Sequence, residues 1–420
     1  MKTTQVGVLL PALMGVALGT AAFESIAQNS PPPQAPGMRP AVRNQGPQLQ
    51  AAPMGSQGFG VPLPGLNRVQ FADFRVGLEE FLRAETVEGG LGPIFNDVSC
   101  VACHSAPTPG GASDRRVTRF GSTATGVFDP LESLGGSLLQ AMAIDRAVQE
   151  RVPQQANVVI RRESTPLYGM GLMEAIPDAV LRQSAVRPKP DGVRGRAAEV
   201  VDVTTGQKRV GRFGWKAQQA TLLAFAGDAY LNEMGVTSRF FPHENAPNGN
   251  EALLARFDKV ADPEDEVDPV TGKGDIDVVA DFMRFLAAPP MLQMNPSARQ
   301  GEVLFQQVGC AVCHTPVLTT GPSSIQALNQ KPVWLYSDLL LHDMGSLGDG
   351  IVQAAAGPTE MRTAPLWGLR ASAPYLHDGR AATMEQAIVA HEGEGRASRD
   401  RYLRLTPSQR RQLAEFLNTL

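Results

Sequence analysis

The chain is poor in cysteine and histidine, with four cysteines and six histidines among 420 residues. The cysteines form two Cys-x-x-Cys pairs, Cys100 with Cys103 and Cys310 with Cys313. A structural zinc, a redox pair and disulfides are the alternatives to consider for them. Zinc is disfavoured, because zinc ribbons separate their cysteine pairs by roughly 15–20 residues, whereas the stretch 104–309 separates these two.

The chain also lacks runs of basic residues, and its net charge is −4, from 38 basic and 42 acidic side chains. We therefore expect no nucleic-acid partner. Beyond the N-terminus, no stretch is long and apolar enough to span a bilayer. Alternation typical of β-strands is nearly absent, so we expect an all-α protein.

A histidine directly follows each cysteine pair, at His104 and His314. Zinc, redox and disulfide interpretations leave this repetition unexplained. The Cys-x-x-Cys-His pattern is typical of c-type haem attachment, in which two thiols join the haem vinyl groups and the histidine is the proximal iron ligand. The sequence therefore predicts two covalently bound c-type haems. Their binding residues are Cys100, Cys103, His104, Cys310, Cys313 and His314.

Covalent haem attachment occurs outside the cytoplasm, and the N-terminus fits export. Residues 1–27 contain a basic Lys2, an apolar stretch at 6–22 and the small residues Ser25-Ile26-Ala27, which predict a cleaved secretory signal. A membrane anchor is the alternative. We expect cleavage, and hence a periplasmic protein without a stable membrane anchor. Residues 28–66, rich in Pro, Gln and Gly, are predicted to be a disordered tether.

The remaining chain reads as two versions of one unit. A helix at 296–305 leads into the second motif, and 71–82 is a similar lead-in to the first. The string Arg162-Glu-Ser-Thr-Pro-Leu-Tyr-Gly169 resembles Arg362-Thr-Ala-Pro-Leu-Trp-Gly368. We call these strings the first and second Pro-Leu elements. We predict two tandem class I cytochrome c-like domains with long loops, at 67–290 and 291–420.

Each unit is expected to close with a helix, at 277–286 and 411–417. The last helix carries strong start signals, with Thr406 as N-cap, Pro407 at N1 and Gln409 at N3. An insertion at 188–266 enlarges the first unit. It ends in an acidic loop at 262–268, for which calcium is a weak candidate, because the spacing matches no known calcium loop. We favour a solvated loop.

Several strings resemble the di-haem oxidoreductases, also called CxxCH or thiol oxidoreductases. They are Leu340-Leu-His-Asp-Met-Gly345, Arg362 to Leu369, Leu376-His-Asp-Gly-Arg-Ala381 and Gly211 to Ala217. That family is related to the bacterial di-haem cytochrome c peroxidases. The resemblance covers residues 67–420 and implies two haems close enough to exchange electrons. One would transfer electrons, and the other would meet peroxide or oxygen.

The resemblance places His391 where the superfamily has the distal ligand of the C-terminal haem. We therefore expect His391 to be the sixth ligand of the second haem, with Met344 as its rival. Bis-histidine ligation closes the iron and suits electron transfer. His342 and His377 are expected to hydrogen-bond haem propionates or backbone instead.

The sixth ligand of the first haem is not decided by the sequence, because residues 105–160 contain no histidine. Met170 is one candidate and would raise the potential. Its rivals for the same position are Met173, Met234 and His243. The other possibility is an open distal site lined by Tyr230 or Phe225, as in the oxygenase branch of the superfamily.

Four more residues are assigned roles through the resemblance and the repeat. Trp215 is expected to lie between the two haems, where related enzymes use a tryptophan to relay electrons; a buried core tryptophan is the alternative. Arg162, Arg362 and Arg380 flank the repeated strings and are expected to bind haem propionates. A surface role is the alternative for each arginine.

These features together predict a periplasmic di-haem c-type oxidoreductase. The second haem would exchange electrons with a soluble periplasmic carrier, while the first would react with peroxide, oxygen or another small substrate. The alternative is a non-catalytic electron-transfer cytochrome in which both haems are six-coordinate. The sixth ligand of the first haem separates the two. The sequence does not indicate an oligomeric state.

Overall fold

The structure is a computed structural model that describes residues 58–260 and 267–420. The predicted signal at 1–27, residues 28–57 of the predicted tether, and most of the acidic loop lie outside these ranges. Residues 58–66 of the predicted tether are described. In that segment Phe59 and Leu63 are buried, and the amide of Leu63 donates to the carbonyl of Phe285 at 2.7 Å.

Eleven α-helices are found in the described residues. They include three of the predicted helices, at Asp275–Phe285, Pro296–Val308 and Pro407–Leu417, the last with Thr406 as N-cap and Gln409 completing a capping box. The helices are α1 Arg68–Leu82, α2 Cys100–Cys103, α3 Met170–Glu174, α4 Asp178–Val186, α5 Leu222–Ala229, α6 Glu251–Phe257, α7 Asp275–Phe285, α8 Pro296–Val308, α9 Met384–Val389, α10 Arg396–Leu403 and α11 Pro407–Leu417.

The expected all-α class is wrong, because 15% of the described residues lie in strands or isolated β-bridges, beside 35% in helices. The strands are short, antiparallel and gathered in five small sheets, β1-β4, β3-β2-β5, β6-β7, β8-β9 and β10-β11. They are β1 Ile94–Phe95, β2 Arg116–Gly121, β3 Leu138–Leu139, β4 Met142–Ala143, β5 Val158–Glu163, β6 Ala198–Asp202, β7 Gln207–Gly211, β8 Leu318–Thr319, β9 Pro332–Val333, β10 Leu341–Asp343 and β11 Glu360–Arg362.

The hairpin β6-β7 shows why strand signals were missed. Its first strand alternates buried and exposed residues, and a turn at Thr205-Gly206 reverses the chain. This is the usual pattern of a half-buried strand, but it lasts for only five residues. Most of the other strands are shorter still. Pairing with a neighbour therefore decides them, more than any periodicity within each segment.

Two helix pairs repeat, and a glycine lies at each crossing. Helix α1 packs on α7, and α8 packs on α11. A Cβ on Gly77 of α1 would come within 2.1 Å of the carbonyl oxygen of Val278, and one on Gly301 of α8 within 2.0 Å of that of Gln412. Both backbones therefore approach too closely for any side chain. The same close crossing in both halves supports one repeated unit.

The hydrophobic cores follow the repeat only in part. A small core, including Phe305, Tyr402 and Phe416, lies around α8, α10 and α11. The main core is built around α1, α5 and α7, but it also takes Leu339 and Trp367 from the second half. The described residues belong to one compact unit, and the division near residue 290 stays a prediction.

A buried ion cluster also joins the halves. Lys216 Nζ lies 3.0 Å from Asp349 Oδ1, and Arg162 Nε donates to Asp349 Oδ2 at 2.7 Å. Lys216 and Asp349 have side chains at most 1% exposed. Because buried charges are costly unless they are paired, Lys216 and Arg162 of the first half need this contact with Asp349 of the second half.

Membrane-spanning helices and clusters of metal-binding side chains are both absent from the described residues. Among the helices of residues 58–260 and 267–420, none has the length and apolar character needed to cross a bilayer. In the same ranges no group of three or more His, Cys, Asp or Glu is arranged to hold a metal ion. The acidic loop, for which calcium is only a weak candidate, lies largely outside them.

Candidate haem sites

The first Cys-x-x-Cys-His motif forms a short helical turn. Cys100 and Cys103 lie in α2, and His104 caps its end. His104 Nδ1 lies 3.1 Å from the carbonyl oxygen of Gly111, which can only accept, so Nδ1 must donate. Burial lowers the pKa of His104 to about 4. The ring is therefore neutral, with its free electron pair on Nε2, as an iron ligand requires.

The second motif repeats this arrangement in other surroundings. Cys310 follows α8, and His314 donates from Nδ1 to the carbonyl oxygen of Tyr336 at 3.0 Å. Burial lowers the pKa of His314 to about 4 as well. Both proximal histidines are thus oriented by backbone carbonyls and kept neutral by burial.

His391 lies opposite His314. The two ring centroids are 6.5 Å apart, with the ring planes inclined by 58°. His391 Nδ1 donates to the carbonyl oxygen of Ala387 at 2.8 Å, so its Nε2 is also left free. Two metal–nitrogen bonds of about 2.0 Å each, together with half of each ring, fill a gap of this size. The predicted bis-histidine pair therefore has suitable geometry.

His342 shares the cavity but has no free nitrogen. Its Nε2 lies 3.0 Å from Asp338 Oδ2 and its Nδ1 lies 2.6 Å from Glu394 Oε2. The hydrogen bonds of the two carboxylates outweigh burial and raise the pKa of His342 to about 12. An imidazolium bonded at both nitrogens cannot coordinate iron. Met344, the rival of His391, lies on the wall of the same cavity.

The cavity that holds His314 and His391 has a volume of about 600 Å³, within the usual range for a cofactor site of roughly 300–1,000 Å³. It reaches Ser105 and Ala106, which follow His104 in the chain. Both Pro-Leu elements line it as well. The two repeated strings therefore meet in space, in a cavity that contains the second motif and reaches the residues that follow the first.

Trp215 joins the two Pro-Leu elements. Its indole Nε1 donates to the carbonyl oxygen of Glu163 in the first element at 2.8 Å, and its own carbonyl accepts from the amide of Arg362 in the second at 2.9 Å. The indole lines the cavity and lies edge-on to His377, with centroids 6.2 Å apart. A location between the haems fits these contacts.

The three predicted propionate arginines lie in different surroundings. Arg362 is buried and donates only to carbonyls, those of Gly214 and Thr363. Burial lowers its pKa to about 10, with no carboxylate of the described residues to offset it. A haem propionate would supply the missing charge, so Arg362 fits the role. Arg162 is already paired in the ion cluster, and Arg380 is 47% exposed and paired with Asp378.

The candidates for the first haem are spread over several places. Met170 and Met173 in α3 are buried and lie on the wall of the shared cavity. Met234 is buried in the main core, and His243 is exposed. Phe225 stacks on Phe213, with ring centroids 5.9 Å apart. Ligation of the first haem by Met170 stays a prediction.

Tyr230 begins a π-helical turn, Tyr230–Met234, which continues α5. Such turns are rare and are frequent at functional sites. The tyrosine is buried, and its hydroxyl donates to Glu80 Oε1 at 2.9 Å. Burial raises its pKa well above the usual value, and Cys100 and Glu80 add to the shift. Tyr230 therefore lies beside the first motif.

Sequence reasoning missed a half-buried polar cluster at the same place. Burial raises the pKa values of Asp228 and Glu233, and Arg119 opposes the shift in both. Glu233 Oε2 accepts from Asn96 Nδ2 at 2.8 Å. The thiol of Cys103 has its pKa raised to about 12 by burial and by the charge of Glu233. The signal was two acidic residues in the otherwise uncharged stretch 222–234.

Comparison with known proteins agrees with these motifs. A model of the family described as "Di-haem oxidoreductase, putative peroxidase" matches residues 140–420, which include the second motif and exclude the first. The methylamine utilization protein MauG of Methylorubrum extorquens is 30% identical over 142 residues, covering 30% of this chain and 35% of that protein. The chain thus spans about a third of the curated relative it matches.

Solved structures with weaker similarity include hydrazine synthase of Kuenenia stuttgartiensis, with 15% identity, TM-score 0.39, and coverage of 96% of this chain and 100% of that one. The diheme peroxidase BthA of Burkholderia thailandensis has 14% identity, TM-score 0.37, and coverage of 83% and 86%. A MauG-like protein associated with microbial copper homeostasis has 20% identity, TM-score 0.31, and coverage of 64% and 92%.

Proposed function

Because the chain belongs to the di-haem oxidoreductase family, we propose that it is a periplasmic c-type oxidoreductase with one covalent haem at each Cys-x-x-Cys-His motif. The proposal depends on one difference between the two motifs. His391 lies opposite His314, whereas within the described ranges no histidine lies opposite His104. One site would then be closed by two histidines, while the other, if Met170 does not ligate it, keeps a position for a small molecule.

The second site is proposed to transfer electrons. A haem held by Cys310, Cys313, His314 and His391 supplies one-electron chemistry without an open coordination position. Arg362 would neutralise a propionate there, and the buried His342 would hold its two carboxylate partners in place. A soluble periplasmic electron carrier is the proposed partner of this site.

The first site is proposed to react with peroxide or oxygen. Glu233 and Asp228 are half-buried acids whose pKa values are raised by burial, and a raised pKa suits a carboxyl that gives or takes a proton. The guanidinium of Arg119 lies near them and attracts both carboxylates. We propose that Glu233, whose charge reaches Cys103, exchanges the proton with the bound molecule.

Trp215 is the aromatic that we place between the sites. It is hydrogen-bonded to both Pro-Leu elements and lines the cavity between the motifs. These contacts hold the indole in one position, as a relay requires.

The test is electron paramagnetic resonance of the fully ferric protein, after mass spectrometry has counted the haems. We expect one low-spin signal from the second site and one high-spin signal from the first. Peroxide should then be consumed when a soluble one-electron donor is supplied. Two low-spin signals and no peroxide consumption would instead identify an electron-transfer cytochrome with both sites closed.

A further inference from the structure

Glu80 is a buried carboxyl next to the first motif that the proposed function does not use. It lies near the end of α1, and its side chain is 8% exposed. Oε1 accepts from the Tyr230 hydroxyl at 2.9 Å, and the same oxygen lies 2.8 Å from Arg83 Nη2. The carboxyl is thus held between a buried phenol and a guanidinium that is 45% exposed.

Two observations place this pair beside the haem attachment site. The next residue in α1, Phe81, has its ring centroid 6.3 Å from that of His104. The pKa of the Cys100 thiol is raised to about 12, first by burial and then by the charge of Glu80. A charge that acts on this sulfur would also act on a haem bonded to it.

The groups that face Glu80 come from α7, from the π-helical turn and from the segment that follows α1. Burial raises the pKa of Glu80 to about 7, and the charges of Asp275 in α7 and Glu85 in that segment add to the increase. Arg83, the C-cap residue of α1, and the hydroxyl of Tyr230 oppose it. The carboxyl can therefore gain or lose a proton near neutral pH, with the exposed Arg83 marking the route to solvent.

We propose that Glu80 stores a proton in step with the oxidation state of the first haem. One electron enters the site from an external reductant, and one proton enters from solvent to a Glu80 carboxylate oxygen, so the net charge of the site is unchanged. Reoxidation releases the same proton. The inference rests on the proposed function only for the presence of a haem at the first motif.

The direction of the coupling follows from electrostatics. Reduction removes a positive charge from the neighbourhood of Glu80, which disfavours its carboxylate form and raises its affinity for a proton. The midpoint potential of the first haem should therefore fall as pH rises through neutrality. For one proton per electron, each tenfold drop in proton concentration lowers the potential by up to 59 mV.

Tyr230 is a positioning residue in this scheme. Its hydroxyl donates to the carboxylate form of Glu80 and so favours that form. Removing the hydroxyl in Tyr230→Phe should move the pH-dependent range of the potential upward. A merely structural role for Tyr230 would leave the range unchanged.

The test is a spectroelectrochemical titration of the haem-loaded protein between pH 5 and 9, following each haem separately. We expect the midpoint potential of the first haem to fall with rising pH in the wild type and to be independent of pH in Glu80→Gln. In Tyr230→Phe the potential should fall over a higher range of pH. Glu79→Gln is the matched control, because Glu79 is the adjacent residue of α1 with a side chain 76% exposed. It should behave as the wild type.

A slope that persists unchanged in Glu80→Gln would overturn the proposal, and so would its loss in Glu79→Gln. If Glu80→Gln fails to bind haem, Tyr230→Phe decides instead: the proposal would be overturned if the potential fell over the same pH range as in the wild type. No peroxide or partner protein enters this measurement, so its failure is separate from a failure of the proposed function. Conversely, a protein inert to peroxide can still show the expected slope.

Discussion

The two Cys-x-x-Cys-His motifs share a frame and differ in what lies opposite the histidine. In both, a helix with a glycine at its crossing leads to the motif, and a backbone carbonyl orients the histidine. Opposite His314 lies His391, whereas beside the first motif lie Tyr230 and Glu233 of the π-helical turn. A repeated frame would therefore position the two proposed haems, while residues outside the repeat would decide which chemistry each site can perform.

The largest expected effect comes from His391→Ala. Loss of the facing imidazole should convert the low-spin signal of the second haem completely to a high-spin signal, since the sixth position is then empty. Electron paramagnetic resonance measures the change. His377→Ala is the control, because His377 lies against Trp215. The low-spin signal of the second haem should persist in this control variant. A low-spin second haem in His391→Ala would identify another ligand, with Met344 first to be examined.

Glu233→Gln tests the chemistry proposed for the first motif. If Glu233 exchanges a proton at the first site, its loss should slow peroxide consumption roughly 10²–10⁴-fold, with little change in the spectrum of the second haem. Stopped-flow absorbance checks both. Glu251→Gln, at the exposed start of α6, should retain the wild-type rate. An unchanged rate in Glu233→Gln would remove this acid from the mechanism.

Lys216→Met tests the link between the halves. The substitution removes a buried ammonium and leaves the carbonyls of Gly357 and Glu360 without this donor, and a buried acceptor left unsatisfied costs about 1–3 kcal/mol. Denaturant unfolding of the haem-loaded protein measures the loss. Arg182→Met is the matched control, because the Arg182–Glu199 pair is 46% exposed on both sides and such pairs contribute about 0–1 kcal/mol. Equal losses in both variants would contradict a structural role for the cluster.

The glycines at the two crossings test the shared frame. Gly77→Ala and Gly301→Ala should each destabilise the protein by about 1–3 kcal/mol, because a Cβ would overlap a carbonyl of the partner helix. Alanine raises helix propensity by about 1 kcal/mol, so any net loss reflects the close contact. Gln300→Ala, at an exposed position of α8, should change the free energy of unfolding little. Stabilisation by either glycine substitution would contradict the packing described.

The last expected effect is a pH dependence of the free energy of unfolding that arises from His342. Its pKa is raised in the folded protein, so its pairing stabilises the fold fully below its ordinary pKa of about 6.5. That contribution is lost as pH rises toward the folded value. The destabilisation caused by His342→Asn should thus be greater at pH 6 than at pH 9. Denaturant unfolding at both values checks it, and an equal loss would argue against the charged pair.

Local signals predicted more of the fold than the overall class did. The terminal helix was predicted from Thr406, Pro407 and Gln409, and the structure confirms its start. A capping box acts within one turn, so sequence alone can reveal it. The strands were missed because most are two to six residues long and depend on partners elsewhere, as Val158–Glu163 depends on Arg116–Gly121.

In the candidate site, too, some residues were expected from the sequence and others were found only in the folded chain. His391 was expected through resemblance, and the structure places it opposite His314. Glu80 and Glu233 were not expected. Glu80 comes from α1, Glu233 from the insertion, and each meets the motif only in the folded chain. Their raised pKa values come from burial, which a pattern of neighbouring residues cannot express.

By itself the sequence determined the family and the six residues of the two Cys-x-x-Cys-His motifs, because each motif lies within five consecutive positions. Only the tertiary structure decided which side chains face those motifs. The space between His314 and His391, and the enclosure of Glu80 by Tyr230 and Arg83, arise from helices packed across the chain. Distances and burial of this kind set ligation and proton affinity, and they exist only after folding.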